Sequence, residues 1–226
     1  KRKEVKENKL GILLQAVSYK NIKIHDNDKV ISFAHKQTKV DLGPVVKGYA
    51  IDEALELFRN SGLTNVCMNY GSMSRMLNTP SGKDAWKVGV PHPLKEDAIV
   101  GALHLMNQGV AFVGDYSRYP TVQDKFYMHL VDPRTGRPAE NENLAVIATT
   151  PTAEEAGVVA TVLFVKGTKE REKLATIFPD TEWLIVSDKP QHSIVLEGSP
   201  GMMEKFKEGE EKSFKYGKGA GCPFSP

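Results

Sequence analysis

From Pro44 onward, Val46, Ala50, Ile51, Ala54, Leu55 and Phe58 recur at helical spacing, Pro44 suits a first-turn position and Gly62 follows as a stop. The pattern predicts one amphipathic helix over about 45–61. A second helix start is written in Thr152-Ala153-Glu154-Glu155, where a hydroxyl and a carboxylate three residues apart can each satisfy a first-turn N–H. Ala156, Val159, Ala160, Leu163 and Phe164 then lie along one face until Gly167, and a third helix is expected over 169–178. Elsewhere the period is two. Residues 21–25 alternate polar and apolar and turn through Asn27-Asp28 into 30–33, a β-hairpin. Short β-like runs at 66–70, 86–90, 100–106, 110–114, 126–131, 144–148, 183–186 and 193–197 are separated by Gly, Pro or Asn turns. Few helices among many strands, in mixed order, give an α+β class.

Lys1-Arg2-Lys3 ahead of the apolar 10–17 superficially copies a secretory signal, but Gln15 interrupts the run and mixed charges at Glu4, Lys6, Glu7 and Lys9 favour an ordinary helix end. With 226 residues and 40% hydrophobic content, the chain is long enough for one or two packed domains. Its 30 Lys+Arg against 28 Asp+Glu leave a net charge of +2, too small a field for holding nucleic acid or an anionic membrane surface. No apolar run approaches the roughly 20 residues of a transmembrane helix. Two cysteines, Cys67 in an apolar run and Cys222 in a Gly/Lys/Pro-rich end, exclude a disulfide framework and a Cys-rich zinc cluster. Residues 1–200 are expected to form the folded domain and 201–226 a tail.

Three segments carry the chemistry: Asp41-Leu42-Gly43-Pro44-Val45-Val46-Lys47-Gly48-Tyr49-Ala50-Ile51-Asp52, then His129-Leu130-Val131-Asp132-Pro133-Arg134-Thr135-Gly136, then 153–167. The first is a glycine-bearing turn feeding a helix start, where free N–H groups and the helix dipole favour an anion, and Lys47 adds a full charge there. Taken alone, Lys47 also reads as a solvated lysine, Gly48 and Tyr49 as packing residues and Asp52 as surface. An imidazole such as His129, with an ordinary pKa of about 6.5, can accept a hydroxyl proton or hydrogen-bond a phosphate, and it also reads as a satisfied strand histidine. Asp132 to Gly136 would make a tight turn just past it.

Together these segments resemble the ApbE family of flavin transferases, with supporting matches at Asn69-Tyr70-Gly71, 86–93 and Gly114-Asp115-Tyr116. The resemblance runs from about 17 to 198 and implies a mixed, mostly antiparallel sheet with packed helices. It also implies that an N-terminal portion of the family pattern, with further flavin contacts, lies outside this sequence. The implied activity moves FMN from FAD, with Mg²⁺, onto a Thr or Ser hydroxyl of a target flavoprotein, releasing AMP outside the bacterial cytoplasm, in the periplasm or its equivalent. In such phosphoryl transfer a protein mostly places groups and stabilises charge. The resemblance puts His129 at the reaction centre, and Lys47, Gly48, Tyr49, Asp52, Tyr70, Gly71, Asp115, Asp132 and Arg134 at the nucleotide site. Asp132 and Arg134 would act chiefly by fixing their turn. The metal would take Thr161, the Val46 backbone carbonyl and an aspartate one turn before Thr161.

That aspartate is absent: the position is Gly157, which leaves magnesium without its hard anionic oxygen, so that Gly157→Asp is expected to raise metal affinity. Gly71-Ser72-Met73 stands where the family has two glycines and an acid, and Phe112-Val113 where it has Thr-Ser. Two expectations follow. One is an FMN transferase whose Lys47, His129 and Thr161 converge on one cleft. The other is a non-catalytic relative that binds flavin nucleotide or serves as a subunit of a larger assembly.

Overall fold

In the computed structural model the described residues are 7–27, 29–95, 98–114, 130–139, 142–189 and 193–208. They run α1 (Glu7–Ala16), β1 (Ile22–His25), β2 (Val30–Phe33), α2 (Gly43–Asn60), β3 (Val66–Tyr70), β4 (Met73–Leu77), β5 (Trp86–Pro91), β6 (Ile99–Leu105) and β7 (Gly109–Gly114). There follow β8 (Val131–Asp132), β9 (Arg137–Pro138), β10 (Asn143–Thr150), α3 (Ala153–Lys166), α4 (Arg171–Ile177), β11 (Glu182–Lys189), β12 (Ser193–Gly198), α5 (Pro200–Lys205) and β13 (Phe206–Glu208). The chain divides into two compact units, 1–42 with 118–140, and 43–117 with 141–226. This differs from the expected single domain ending at 200.

In the first unit, α1 is a helix over most of the apolar run, and β1 pairs antiparallel with β2 in the expected hairpin. The register sets Ile22 opposite Phe33 and Ile24 opposite Ile31. β8 and β9 close the turn at 132–137, whose Gly136 has φ +67° and stands where a Cβ would meet Leu10 Cδ1 at 2.6 Å. The positive φ favours glycine at that position. Of the expected strand 126–131, residues 126–129 lie outside those described.

The second unit holds a six-stranded sheet in the order β12-β11-β10-β7-β4-β3 and a three-stranded sheet β13-β6-β5, antiparallel throughout. Val88, Leu103 and Phe206 from the smaller sheet meet Met76, Val110, Ile147 and Leu184 from the larger in one apolar core. α2 and α3 cover the other face of the large sheet, α3 over β7 and β10, α2 beside β3 and β4. β10 is therefore buried on both faces, and its sequence is a continuous apolar run instead of an alternating one.

The fold also continues past residue 200, where the tail was expected to begin. Met202 of α5 is fully buried, Phe206 of β13 nearly so, and β13 adds a strand beside β6. The reason is local: Ser199-Pro200 starts a short helix that swings Met202 into the core.

Candidate functional site

α2 and α3 cross through their small residues, one turn at a time. A Cβ on the buried Gly48 would stand 2.5 Å from both N and Cα of Glu154, and one on Gly157 would stand 3.0 Å from the carbonyl oxygen of Pro44. As residue number falls from 48 to 44 on α2, its neighbour on α3 rises from 154 to 157, so the helices are antiparallel. One turn further along α2, the buried Asp52 reaches the start of α3. Its Oδ1 accepts from the Ala153 N–H at 2.9 Å and its Oδ2 from the Glu154 N–H at 3.0 Å. The Thr152 hydroxyl takes the next N–H, that of Glu155, at 3.2 Å, as the capping pattern predicted. Arg75 closes the arrangement, with Nη1 3.2 Å from Asp52 Oδ1 and Nη2 3.6 Å from Glu56.

Two sequence expectations change here. Asp52 is neither surface nor aimed at a nucleotide: both oxygens are engaged by α3 and Arg75, because a carboxylate is stabilised by the unpaired N–H groups and positive dipole end of a helix. Gly48 lets two helix backbones touch, so packing is the reading that holds for it.

Lys47, on the neighbouring position of α2, is exposed, and its Nζ stands 6.0 Å from the ring centroid of Tyr70 at the end of β3. Gly71 follows in a two-residue turn between β3 and β4, at φ +66°. Being glycine, it satisfies that backbone angle, and a Cβ there would make only ordinary contact with Nζ, at 3.8 Å. Lys47, Tyr70 and Gly71 are therefore brought together at one solvent-facing edge, a cation beside an exposed aromatic ring. Tyr49 is exposed further along the same helix, at 53%.

The expected metal corner is different. Around Gly157 the thioether of Met73 fills the space: Cε would lie 2.6 Å and Sδ 3.3 Å from a Cβ at that position, and Met73 is only 4% exposed. The Thr161 hydroxyl donates to the Gly157 carbonyl at 2.7 Å. Val46 lies inside α2, where its carbonyl faces the Ala50 N–H of the next turn. A soft thioether where a carboxylate would stand, with only a neutral hydroxyl and a helical carbonyl beside it, does not fit magnesium, which takes hard oxygen ligands in a near-octahedral shell. Among the described residues no cluster of three or more His, Cys, Asp or Glu could hold a metal. Of the other sequence departures, Met73 meets Gly157 directly, whereas Phe112 packs with Val110 and Ile147 in the core on the opposite face of the sheet.

In the other unit, Asp132 fixes its turn as expected. Its Oδ1 accepts from the Arg134 N–H at 2.8 Å, its carbonyl from the Gly136 N–H at 2.8 Å, and the exposed Arg134 guanidinium folds back onto the same carboxylate. His129 and Asp115 lie outside the described residues. An open cleft bordered by Asp84, His104, Asn107, Asp180 and Lys205 contains none of the predicted site residues.

Sequence reasoning missed Arg75 and the structural place of Met73, because β4 was not read as a strand. A signal was present. A lone arginine in Met73-Ser74-Arg75-Met76-Leu77, an otherwise apolar run, needs a carboxylate partner, and Asp52 and Glu56 stand one turn apart on the helix before it.

Comparison with known proteins bears on the family and the fold. The model of the ApbE family matches residues 1–185. Proteins named FAD:protein FMN transferase from Salmonella typhimurium and Escherichia coli K12 are each 29% identical over 136 residues, 60% of this chain and 39% of their own length. The chain thus spans about two fifths of the curated relatives it matches. The ApbE protein of Thermotoga maritima superposes with a TM-score of 0.78 at 27% identity, over 91% of this chain and 65% of that one. The flavin transferase ApbE of Vibrio cholerae, 19% identical, shares the fold at a TM-score of 0.76 over the same shares. With most of its length accounted for by the family pattern and its α+β architecture reproduced in solved relatives, this chain belongs to the ApbE family.

Proposed function

We propose that the chain binds FAD through the edge formed by Lys47, Tyr70 and Gly71, and that the reaction served is transfer of FMN to a Thr or Ser hydroxyl of a target flavoprotein, with release of AMP. The observation that carries the reading is the Lys47 ammonium, exposed and, among the described residues, without an ion-pair partner, 6.0 Å from the Tyr70 ring and open on the Gly71 side. A diphosphate supplies the charge this cation lacks, and an exposed ring supplies a face for a flat heterocycle. The relatives' name, FAD:protein FMN transferase, supplies the nucleotide. In this reading His129 accepts the proton of the attacking hydroxyl, and Asp132 and Arg134 hold the turn that follows it in sequence.

A second reading is favoured by one specific observation, the Met73 thioether packed where a metal-holding side chain would grow from position 157: a family member that binds flavin nucleotide and does not transfer it. Incubating the chain with FAD, Mg²⁺ and an acceptor flavoprotein, and reading covalent FMN by in-gel fluorescence, separates the two. A band that is lost in His129→Ala supports transfer. FAD binding with no band supports the second reading, and absence of both overturns the proposal.

A further inference from the structure

We infer that Met73 and Gly157 are a matched pair that has turned this corner of the fold into a packed joint, so that restoring a carboxylate at 157 alone cannot create a metal site. The inference rests on packing and does not require the flavin reading.

Met73 lies on β4, paired with Tyr70 across the hairpin and with Ala111 of β7, so its backbone is fixed on both sides. Its side chain lies against α3, and the methyl end reaches within 2.6 Å of where any Cβ at 157 would stand. Behind that position is backbone, the Pro44 carbonyl at 3.0 Å, which moves only if α2 moves. α2 is in turn held by the backbone contact at Gly48 and by Asp52 on the α3 N-terminus. Glycine at 157 and a long unbranched side chain at 73 are thus complementary: thioethers adapt to irregular gaps, and glycine supplies the gap. The Thr161 hydroxyl donates to the Gly157 carbonyl and keeps its lone pairs, so a hard oxygen remains at this corner beside the thioether.

The sequence alone suggested that Gly157→Asp would raise metal affinity. The inference is the opposite, since the new side chain would start in space held by the Met73 thioether, with the Pro44 carbonyl at 3.0 Å beside it. Removing the thioether is the missing half of the change.

The test uses the whole chain as wild type, Gly157→Asp, Met73→Ala and the double variant, with Gly157→Ala as a smaller probe of the same space in both backgrounds. Two readouts are taken, urea unfolding and titration with Mn²⁺, a paramagnetic stand-in for Mg²⁺. The inference expects no saturable Mn²⁺ binding in wild type or Gly157→Asp, and saturable binding in the double variant. It also expects each 157 substitution to lower the folding constant at least tenfold less in the Met73→Ala background than beside Met73, within the usual range for residues in contact. Saturable Mn²⁺ binding by wild type or by Gly157→Asp, or strictly additive stability effects with both 157 substitutions, would overturn it.

Discussion

The two ends of the α2–α3 crossing differ in kind. At the Lys47 edge a cation, an aromatic ring and a bare glycine turn face solvent, with the ammonium lacking an ion-pair partner among the described residues. One turn away, at Gly157, the Thr161 hydroxyl donates back to its own helix and the space beside it holds a thioether. The same pair of helices thus leaves one surface open and fills another. Charge and exposure at the first can change without disturbing packing, whereas any side chain added at the second must be answered by a neighbour.

The largest effect is expected where the crossing is tightest. Gly48→Ala places a methyl 2.5 Å from the backbone of Glu154, which no rotamer change relieves, and should cost about 3 kcal/mol or more, read as the urea midpoint. If Gly48→Ala is neutral, the helices are not locked together and the contrast between open edge and closed corner loses its basis. Next comes Asp52→Ala, which strips two α3 N–H groups and Arg75 of a shared acceptor. About 2–4 kcal/mol of stability should go with it, and Arg75→Ala should soften that loss, because the two residues act as one unit.

Lys47→Ala should leave the unfolding midpoint within about 0.5 kcal/mol of wild type, as an exposed position allows, and weaken FAD binding roughly tenfold or more through loss of one charge-assisted contact. Equal loss of stability and affinity would mean that Lys47 is structural. The smallest effect concerns His104 on β6, away from both regions. Burial, then the nearby Lys87 and Lys207, lower its pKa from the usual 6.5. The unfolded chain therefore takes up this proton first. Stability should be full above pH 6.5, fall as pH drops through it, and lose that part of its slope in His104→Gln.

What was readable in the sequence was local. Thr152 and Glu155 announced α3 because a cap involves neighbours in the chain, and Gly167 ended it at φ +72° for the same reason. The β1–β2 hairpin followed from alternation and turn residues. The Asp132 turn was legible too, since its bonds span two to four residues. Asp52 was misread because its partner N–H lies 101 residues further on and nothing in its own helix signals a distant N-terminus. β4 went unseen because Met73, Ser74, Met76 and Leu77 are all buried, which erases the alternation that marks a half-exposed strand. Gly157 stood out only as a missing carboxylate, and its complement Met73, far along the chain, acquires meaning once β4 lies under α3.

The account's central claim is that flavin nucleotide is held at the Lys47 edge without help from a metal at the Gly157 corner. FAD titrated into the chain by fluorescence quenching, once with Mg²⁺ and once with EDTA, tests this directly. The account predicts the same dissociation constant in both; binding that appears only with Mg²⁺, or no binding in either, would contradict it.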